Sequence, residues 1–267
     1  MKRERIQQLI RLLRRGEILT SAGAADRFGV SEVTVRRDFE FLTANGEACR
    51  FHGGIRAADF CGDPALPIGL RREWRREVKR RLAGAAAAEL PLQGCIFVDG
   101  GTTTAQLGHF LARPDLRVIT NSLALLRSCA EAGEPMPLLQ LTGGVYNRKS
   151  EILVGPEAVR TVEHFHADAA VISGTALDGD FLYDNREEAA ELQRKMMENS
   201  EQLIVIADSG KLGGKALCRS LEADRISLLI TDFDPEKHPV VAVLRKRGVR
   251  VLVLSMPEKQ HSIFEGS

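Results

Sequence analysis

The amino-acid sequence predicts an α/β protein of two domains: a small helical domain at the N-terminus, then a larger domain built on a mainly parallel sheet. Three observations lead to this prediction. The chain has 267 residues, 44% of them hydrophobic and 27% charged, so it is neither disordered nor fibrous and can form two cores. Its charge is divided unequally along its length. In the last two thirds, apolar runs of strand length alternate with helical segments.

The charge distribution separates a basic N-terminal part from an acidic remainder. The whole chain has a formal charge of +1, but residues 1–82 hold 18 Lys and Arg against 11 Asp and Glu, a net charge of +7. Residues 83–267 hold 19 basic and 25 acidic residues, a net charge of −6. This asymmetry favours a nucleic-acid-binding module joined to another domain, although a solvated charged helix face would give the same excess.

Cysteine usage and hydropathy exclude several classes of protein. The five cysteines form no Cys-x-x-Cys pair, so neither a disulfide framework nor a zinc site is predicted. No apolar run approaches the roughly 20 residues that span a bilayer, and the charged start leads into a helical pattern. We expect a cytoplasmic protein with no metal, no cofactor and no membrane contact.

Three helices are predicted within the first 46 residues. The first, at about residues 3–14, has apolar residues at helical spacing: Ile6, Leu9, Ile10 and Leu13. The second spans about residues 21–28 and ends in a tight turn at Gly29 and Val30. Ser31 is a good N-cap for a third helix, which ends near Asn45 and Gly46.

The third helix has the composition of a helix that reads DNA. Its core-facing residues recur at i, i+4 and i+7: Val35, Phe39 and Leu42. Thr34, Arg36 and Arg37 lie largely off that stripe. A short helix, a tight turn and a capped helix with paired arginines form the helix-turn-helix that enters the major groove. Arginine offers bidentate contacts to guanine or phosphate, and the capped N-terminus offers N–H donors.

The next residues, 48–54, predict a short strand and a glycine turn, the wing of a winged helix. Arg50 and His52 would then lie near the DNA backbone or the minor groove. A helical hairpin that mediates only protein contacts is the alternative reading of these first sixty residues.

The stretch VSEVTVRRDFEFL followed by NGEACRFHGG closely resembles the DNA-binding signature of DeoR-type bacterial transcriptional regulators. That signature is a helix VS-x-x-T-I-R-R-D-L and a wing ending in R-x-H-G-G. Nine residues match it: Ser31, Thr34, Arg36, Arg37, Asp38, Arg50, His52, Gly53 and Gly54. The resemblance implies a set of DNA-contacting residues: Ser31, Thr34, Arg36, Arg37, Arg50 and His52.

A linker with proline and glycine follows the wing, and then a basic helical run from Leu70 to Leu82 that contains the single tryptophan, Trp74. This run could contact phosphates, or it could form an interdomain or subunit contact anchored by the tryptophan. The predicted organisation is a DNA-binding domain at residues 1–58, a linker and basic helix at 59–82, and an α/β effector domain at 83–267.

Seven apolar runs predict the strands of that domain: residues 95–98, 117–120, 138–141, 169–172, 203–207, 228–231 and 249–254. Nearly continuous apolar strands separated by helices indicate a parallel sheet covered on both faces. Ligands of such sheets bind beyond the carboxyl ends of the strands. The loops after the strands therefore hold the candidate functional residues.

Polar, glycine-rich turns follow five of these strands. The first is Asp-Gly-Gly-Thr-Thr-Thr at residues 99–104, where glycines admit a ligand, hydroxyls donate and the N-terminus of the next helical segment favours an anion. Alone it could be a structural turn, and it matches neither a Walker A nor a Rossmann motif. The others are residues 120–122, 142–144, 173–175 and 208–211. Together they predict a pocket for a small phosphorylated, hydroxyl-rich ligand.

The resemblance to DeoR-type regulators extends over this half through D-G-G-T-T, V-I-T-N-S, T-G-G-x-Y and A-D-x-x-K. It implies an effector domain similar in fold to ribose-5-phosphate isomerase that responds to phosphorylated sugars. By position, Gly101, Thr102 and Thr103 would hold the phosphate, and Asp99 and Asp208 would orient donors. The predicted effector site comprises Asp99, Gly101, Thr102, Thr103, Asn121, Ser122, Gly143, Gly144 and Lys211.

Two segments depart from the family's pattern. The loop from Ser173 to Asp178 replaces a G-x-x-G-I-D-like loop, and Gln193 stands where a lysine is common. The roles of Asp178 and Glu188 are therefore left open.

These observations predict a DNA-binding transcriptional regulator, a repressor of a sugar or polyol catabolic operon, acting as a homodimer or homotetramer on double-stranded operator DNA. A phosphorylated sugar or related metabolite would modulate DNA binding, and no catalytic residue is predicted. The alternative is a sugar-phosphate isomerase-like enzyme with an accessory DNA-binding domain. Its acid–base groups would come from five residues: Asp99, Asp178, Glu188, Asp208 and Lys211.

Overall fold

The computed structural model describes residues 2–14, 17–44, 48–51, 53–57, 68–73, 75–232 and 238–255. The chain divides into two compact units, residues 1–76 and 77–267.

The N-terminal unit combines helices with a small antiparallel sheet. Its elements are α1 (Lys2–Arg14), β1 (Leu19–Thr20), α2 (Ser21–Phe28), α3 (Glu32–Ala44), β2 (Ala48–Phe51), β3 (Gly54–Ala57) and α4 (Ile68–Glu73). The strand order is β1-β3-β2, so that β2 and β3 form a hairpin. Leu9, Val35, Phe39, Leu42 and Ile55 are buried in one core beneath it. The predicted winged helix-turn-helix domain is confirmed.

The turn between α2 and α3 has the predicted form. Gly29 ends α2 with φ +60°, a left-handed conformation that glycine adopts without strain. The Val30 N–H then donates to the Ala25 carbonyl oxygen at 3.1 Å, which closes the helix end. This cap sets the direction in which α3 leaves the turn.

The basic run predicted as one helix from Leu70 to Leu82 is divided in two. Helix α4 ends at Glu73, and α5 (Arg76–Glu89) begins after Arg75, whose φ of +50° lies outside the right-handed helical region. Trp74 lies outside the described residues. Helix α5 runs through the predicted boundary between residues 82 and 83, and its apolar face packs in the α/β core.

The C-terminal unit begins within α5, at Glu77. Its elements are β4 (Gly94–Val98), β5 (Leu116–Thr120), α6 (Leu123–Ala132), β6 (Leu138–Leu141), β7 (Val145–Asn147), β8 (Ile152–Val154), α7 (Pro156–Glu163), β9 (Ala167–Ile172), β10 (Ala176–Leu177), β11 (Phe181–Asp184), α8 (Glu187–Glu198), β12 (Ser200–Ile206), β13 (Cys218–Glu222), β14 (Leu228–Asp232), α9 (His238–Lys246) and β15 (Arg250–Leu254). Short 3₁₀-helices lie at Thr104–Phe110, Ser209–Lys211 and Ala223–Arg225.

Seven strands form one parallel sheet in the order β15-β14-β12-β9-β4-β5-β6. All seven predicted strands lie in it, with an apolar core layer on each face. From β4 the chain moves outward through β5 and β6, then returns to β9 beside β4 and moves outward on the other side. The carboxyl ends of β4 and β9 are therefore the switch point, where open α/β sheets bind ligands.

Two smaller antiparallel sheets add to this frame. Strands β10, β11 and β13 form one, and the hairpin of β7 and β8 forms the other. The Leu153 N–H of β8 donates to the Asn121 carbonyl oxygen at 2.8 Å, which places this hairpin over the carboxyl end of β5.

None of the described helices is long and apolar enough to cross a bilayer. Within the described ranges, Cys95, Cys129 and Cys218 are free thiols, and no group of three His, Cys, Asp or Glu side chains could hold a metal ion.

Candidate DNA interface and effector site

The N-terminus of α3 is fixed by a side-chain cap. Ser31 Oγ accepts the Thr34 N–H at 3.3 Å and lies 3.0 Å from Thr34 Oγ1. Both hydroxyls thus lie at the helix end, where a DNA phosphate would meet the remaining N–H donors.

Arg36 and Arg37 are exposed on the face of α3 away from the core. Arg36 Nη2 lies 3.2 Å from Glu32 Oε2 one turn earlier, in a pair that is exposed on both sides. An exposed i, i+4 pair contributes only about 0.3–0.5 kcal/mol. The Arg36 guanidinium can therefore exchange this partner for a phosphate or a base at low cost.

Asp38, which also matches the signature, is buried rather than presented to DNA. Its side chain is 1% exposed, and Arg5 Nε of α1 donates to Asp38 Oδ2 at 2.5 Å. This ion pair joins α1 to α3. The residue positions the helix that carries the arginines.

The wing is joined to α3 by Arg50. Its Nη2 donates to the Arg36 carbonyl oxygen at 2.8 Å and lies 3.5 Å from Glu40 Oε1. In the protein without DNA, Arg50 thus holds the wing in place, and its contact with DNA stays a prediction. His52 lies outside the described residues. Gly53 has φ +91°, and its carbonyl oxygen accepts the Ser21 N–H at 2.8 Å, so the turn requires glycine.

At the sheet's carboxyl edge, the loop after β4 runs close beneath the β7–β8 hairpin. A Cβ atom on Gly100 would lie 2.2 Å from Ile152 Cγ2, so only glycine fits there. The Asp99 N–H donates to the Val171 carbonyl oxygen at 2.9 Å, which anchors the loop to β9. The helical segment predicted after this loop is a 3₁₀-helix of seven residues, Thr104–Phe110.

A lysine of the basic run predicted at Leu70 to Leu82 lies at this loop. Lys79 of α5 is 3% exposed, and its Nζ donates to Thr102 Oγ1 at 3.1 Å. An ammonium group thus stands beside the predicted phosphate loop. The sequence could have indicated that Lys79 is buried, because residue 79 falls on the apolar stripe of α5 with Leu82, Ala83, Ala86 and Ala87.

Several buried polar atoms at the carboxyl edge of the sheet have no hydrogen-bond partner among the described residues. Four of them come from the loops after β4 and β5: Asp99 Oδ1, Thr103 Oγ1, Asn121 Oδ1 and Asn121 Nδ2. A Cβ atom on Gly100 would lie 3.3 Å from Asn121 Oδ1, so the amide faces the β4 loop. Buried polar groups are nearly always paired with protein, water or ligand, since leaving one unpaired costs about 1–3 kcal/mol. These atoms are therefore candidate ligand contacts.

Other predicted effector residues have local roles. Ser122 Oγ accepts the Leu125 N–H at 3.1 Å and caps α6. Gly143 and Gly144 have φ +72° and +104°, and a Cβ atom on Gly144 would lie 2.5 Å from the Val154 carbonyl oxygen. These glycines let the chain turn into β7 close against β8.

Lys211 reaches the switch point from the loop after β12. Its Nζ donates to Ser173 Oγ at 2.9 Å and to the Gly174 carbonyl oxygen at 2.8 Å. Asp208 Oδ1 accepts the Gly210 N–H at 3.2 Å, so that carboxylate caps its own turn.

Asp99 belongs to a buried network that sequence reasoning missed. Gln193 Nε2 donates to Asp99 Oδ2 at 2.7 Å and lies 3.4 Å from Asp184 Oδ2, while Gln193 Oε1 accepts the Ser220 hydroxyl. Arg186 Nε and Nη2 hold Asp184 at 3.0 and 3.1 Å.

Burial, and then the Asp184 carboxylate, raise the pKa of Asp99 to about 7, although Gln193 and Arg186 oppose the shift. Near neutral pH this carboxyl group exists in both protonation states.

Asp178 and Glu188, whose roles the sequence left open, can now be placed. Asp178 Oδ1 accepts the N–H groups of Asp180 and Phe181 at 2.9 Å each, and Oδ2 accepts the Tyr183 hydroxyl at 2.7 Å. Burial raises the pKa of Asp178, but these hydrogen bonds and Lys215 lower it overall, so the carboxylate stays ionised and closes the β10–β11 turn. Glu188 is exposed in the first turn of α8.

Comparison with known proteins finds similarity over nearly the whole chain. The chain is 30% identical over 256 residues to a protein of Escherichia coli O157:H7 assigned as transcriptional repressor of the aga operon, covering 94% of this chain and 93% of that protein. It is 29% identical to the HTH-type transcriptional regulator GlpR of Haloferax volcanii, covering 86% of this chain and 89% of the relative. The transcriptional repressor AccR of Agrobacterium fabrum is 26% identical, covering 98% and 96%.

Among solved structures, ribose 5-phosphate isomerase A of Methanocaldococcus jannaschii has a TM-score of 0.37 at 14% identity, covering 51% of this chain and 54% of that one. Translation initiation factor eIF-2B of Pyrococcus horikoshii OT3 has a TM-score of 0.42 at 15% identity, covering 85% and 79%.

Two family models match the chain, one in its N-terminal part and the other in the part that follows. The model of the DeoR-like helix-turn-helix domain matches residues 5–60, and the model of the DeoR C terminal sensor domain matches residues 74–233. The chain therefore belongs to the DeoR family of transcriptional regulators.

Proposed function

We propose that this regulator represses a sugar or polyol catabolic operon and leaves its operator when a phosphorylated sugar or related metabolite binds at the carboxyl edge of the parallel sheet. Two relatives named as repressors, one of the aga operon and the other AccR, are similar over more than nine tenths of this chain. Their names support repression as the direction of regulation. The observation that carries the proposal is the Lys79 ammonium at Thr102, beside unpaired polar atoms at the switch point.

The two ends of this site suit the two ends of a sugar phosphate. A phosphate group is matched by Lys79, by the hydroxyl of Thr102 and by the backbone of the β4 loop. Sugar hydroxyls, which both donate and accept, are matched by Asp99 Oδ1 and the Asn121 amide. A ligand that bridged both ends would span the loops after β4 and β5.

Repression and release further require an oligomer and two states. We place the protein on DNA, in the cytoplasm, as a homodimer or homotetramer, because paired recognition helices read half-sites about one DNA turn apart. The ligand shifts the equilibrium only if it binds the DNA-competent and DNA-incompetent states unequally. Such a ligand would compete with the present partners of the two lysines, which are Thr102 for Lys79, and Ser173 and Gly174 for Lys211.

The proposal is tested with a labelled duplex that the protein selects from a randomised library. Pentose, hexose and polyol phosphates are added, each beside its unphosphorylated counterpart, and DNA release is followed by fluorescence anisotropy. We expect at least one phosphorylated compound to weaken DNA binding tenfold or more, and its counterpart to have no effect. Turnover of any compound would instead support the isomerase-like enzyme, and a panel without effect would contradict the effector class.

Removing the exposed arginines of α3 should weaken operator binding without unfolding the chain. For Arg37→Ala we expect a loss of about 1–3 kcal/mol per half-site, roughly 5- to 150-fold, since a bidentate base or phosphate contact disappears. Gel-shift titration at fixed salt measures it. The control is Arg160→Ala, which removes another exposed helical arginine, in the C-terminal unit. An unchanged affinity for Arg37→Ala would remove it from the interface.

A further inference from the structure

The first turn of α3 exposes one apolar side chain. Val33 is 60% exposed, whereas Val35, Phe39 and Leu42 of the same helix are at most 1% exposed. Val33 precedes Leu42 by nine residues, and at about 100° per residue the helix makes about two and a half turns over that distance. Val33 therefore lies on the face opposite Leu42. Arg37 follows one turn later on that outer face.

The position of Val33 distinguishes it from an ordinary exposed apolar residue. The N-terminal residues of a recognition helix contact base edges in the major groove, and Val33 is the second residue of α3. Its neighbours there are charged: Glu32 and Arg36 pair with each other, and Arg37 is exposed. Valine contributes no hydrogen bond, so it can read only the apolar feature of the groove, the C5-methyl group of thymine.

We propose that Val33 is a specificity-determining residue that contacts the C5-methyl group of a thymine, so that each operator half-site requires an A·T pair at one position. The inference rests on DNA binding by α3, which the proposed function also requires. Arg36 and Arg37, on either side of the same surface, supply the phosphate or guanine contacts that hold Val33 in register.

The experiment compares wild type, Val33→Ala and Leu92→Ala, the last a control at a 76% exposed apolar residue of the C-terminal unit. Each full-length protein selects duplexes from a randomised library. We expect wild type and Leu92→Ala to recover the same half-site, and Val33→Ala to lose its preference at one thymine only. Because Val33 is exposed, its truncation leaves the fold intact, which circular dichroism verifies.

A second measurement removes only the methyl group. Each thymine of the selected half-site is replaced in turn by uracil, and affinity is measured at fixed salt. One replacement should weaken wild-type binding about fourfold, the effect of one buried methyl group, and should leave Val33→Ala unchanged. Wild-type affinity that is insensitive to every replacement, or an equal loss in Val33→Ala, overturns the inference while the proposed function stands. A wild-type protein that selects no sequence contradicts both.

Discussion

Replacing Lys79 with methionine is expected to weaken strongly the preference for phosphorylated over unphosphorylated ligands. Lys79 is 3% exposed and its ammonium contacts Thr102 of the β4 loop, so a phosphate bound there would meet it with little competing water. A hydrogen bond to a charged group contributes about 1.5–3 kcal/mol, roughly 10- to 150-fold in affinity. Calorimetric titration of wild type and variant with the active compound and its unphosphorylated counterpart measures the loss.

The fold should tolerate this change, which keeps the result interpretable. Methionine has a similar length, and residue 79 lies on the apolar stripe of α5 that packs in the core. Removing a buried charge also removes its desolvation cost. Arg80→Met, at the exposed neighbouring position of the same helix, is the control and should bind both compounds as wild type does. A Lys79→Met protein that discriminates by phosphate as strongly as wild type would place the phosphate elsewhere.

Replacing Asp99 with asparagine is expected to flatten the dependence of stability on pH. The folded-state pKa of Asp99, about 7, lies above its unfolded value of about 3.9. The stability that this group contributes is therefore fully present below pH 4 and is lost as the pH rises through 7. Three pKa units correspond to a loss on the order of 4 kcal/mol between these limits. Asparagine stays neutral and can still accept the Gln193 hydrogen bond.

The measurement is the free energy of unfolding in urea at pH 5 and pH 8, followed by circular dichroism. Wild type should lose more stability between these values than Asp99→Asn, and the variant should be the more stable protein at pH 8. Asp178→Asn is the control: the pKa of Asp178 is lowered and its carboxylate accepts three hydrogen bonds, so this group is ionised throughout the range and its replacement should lower stability equally at pH 5 and pH 8. Equal pH dependence in wild type and Asp99→Asn would show that Asp99 does not ionise in this range.

Much of the fold followed from local signals. Ser31 and Gly29 fixed the limits of α3 and α2, because a cap and a left-handed turn depend on residues within one helical turn. The seven strands were predictable because both faces of a parallel sheet are buried, which leaves uninterrupted apolar runs. Two features could not be predicted: the 3₁₀-helix at Thr104–Phe110 and the break at Arg75. Both depend on backbone conformations that apolar periodicity does not distinguish.

By itself, the sequence determined the family signature, the two units and the edge of the sheet that holds the polar loops, since parallel strands bring their carboxyl ends together. Only the tertiary structure decided which side chains meet at this edge. Gln193 meets Asp99 across 94 positions of sequence, and Lys79 meets Thr102 across 23. Asp38 turned inward and Val33 outward on the same helix. Such contacts depend on how separate elements pack, and packing brings together residues that no local pattern relates.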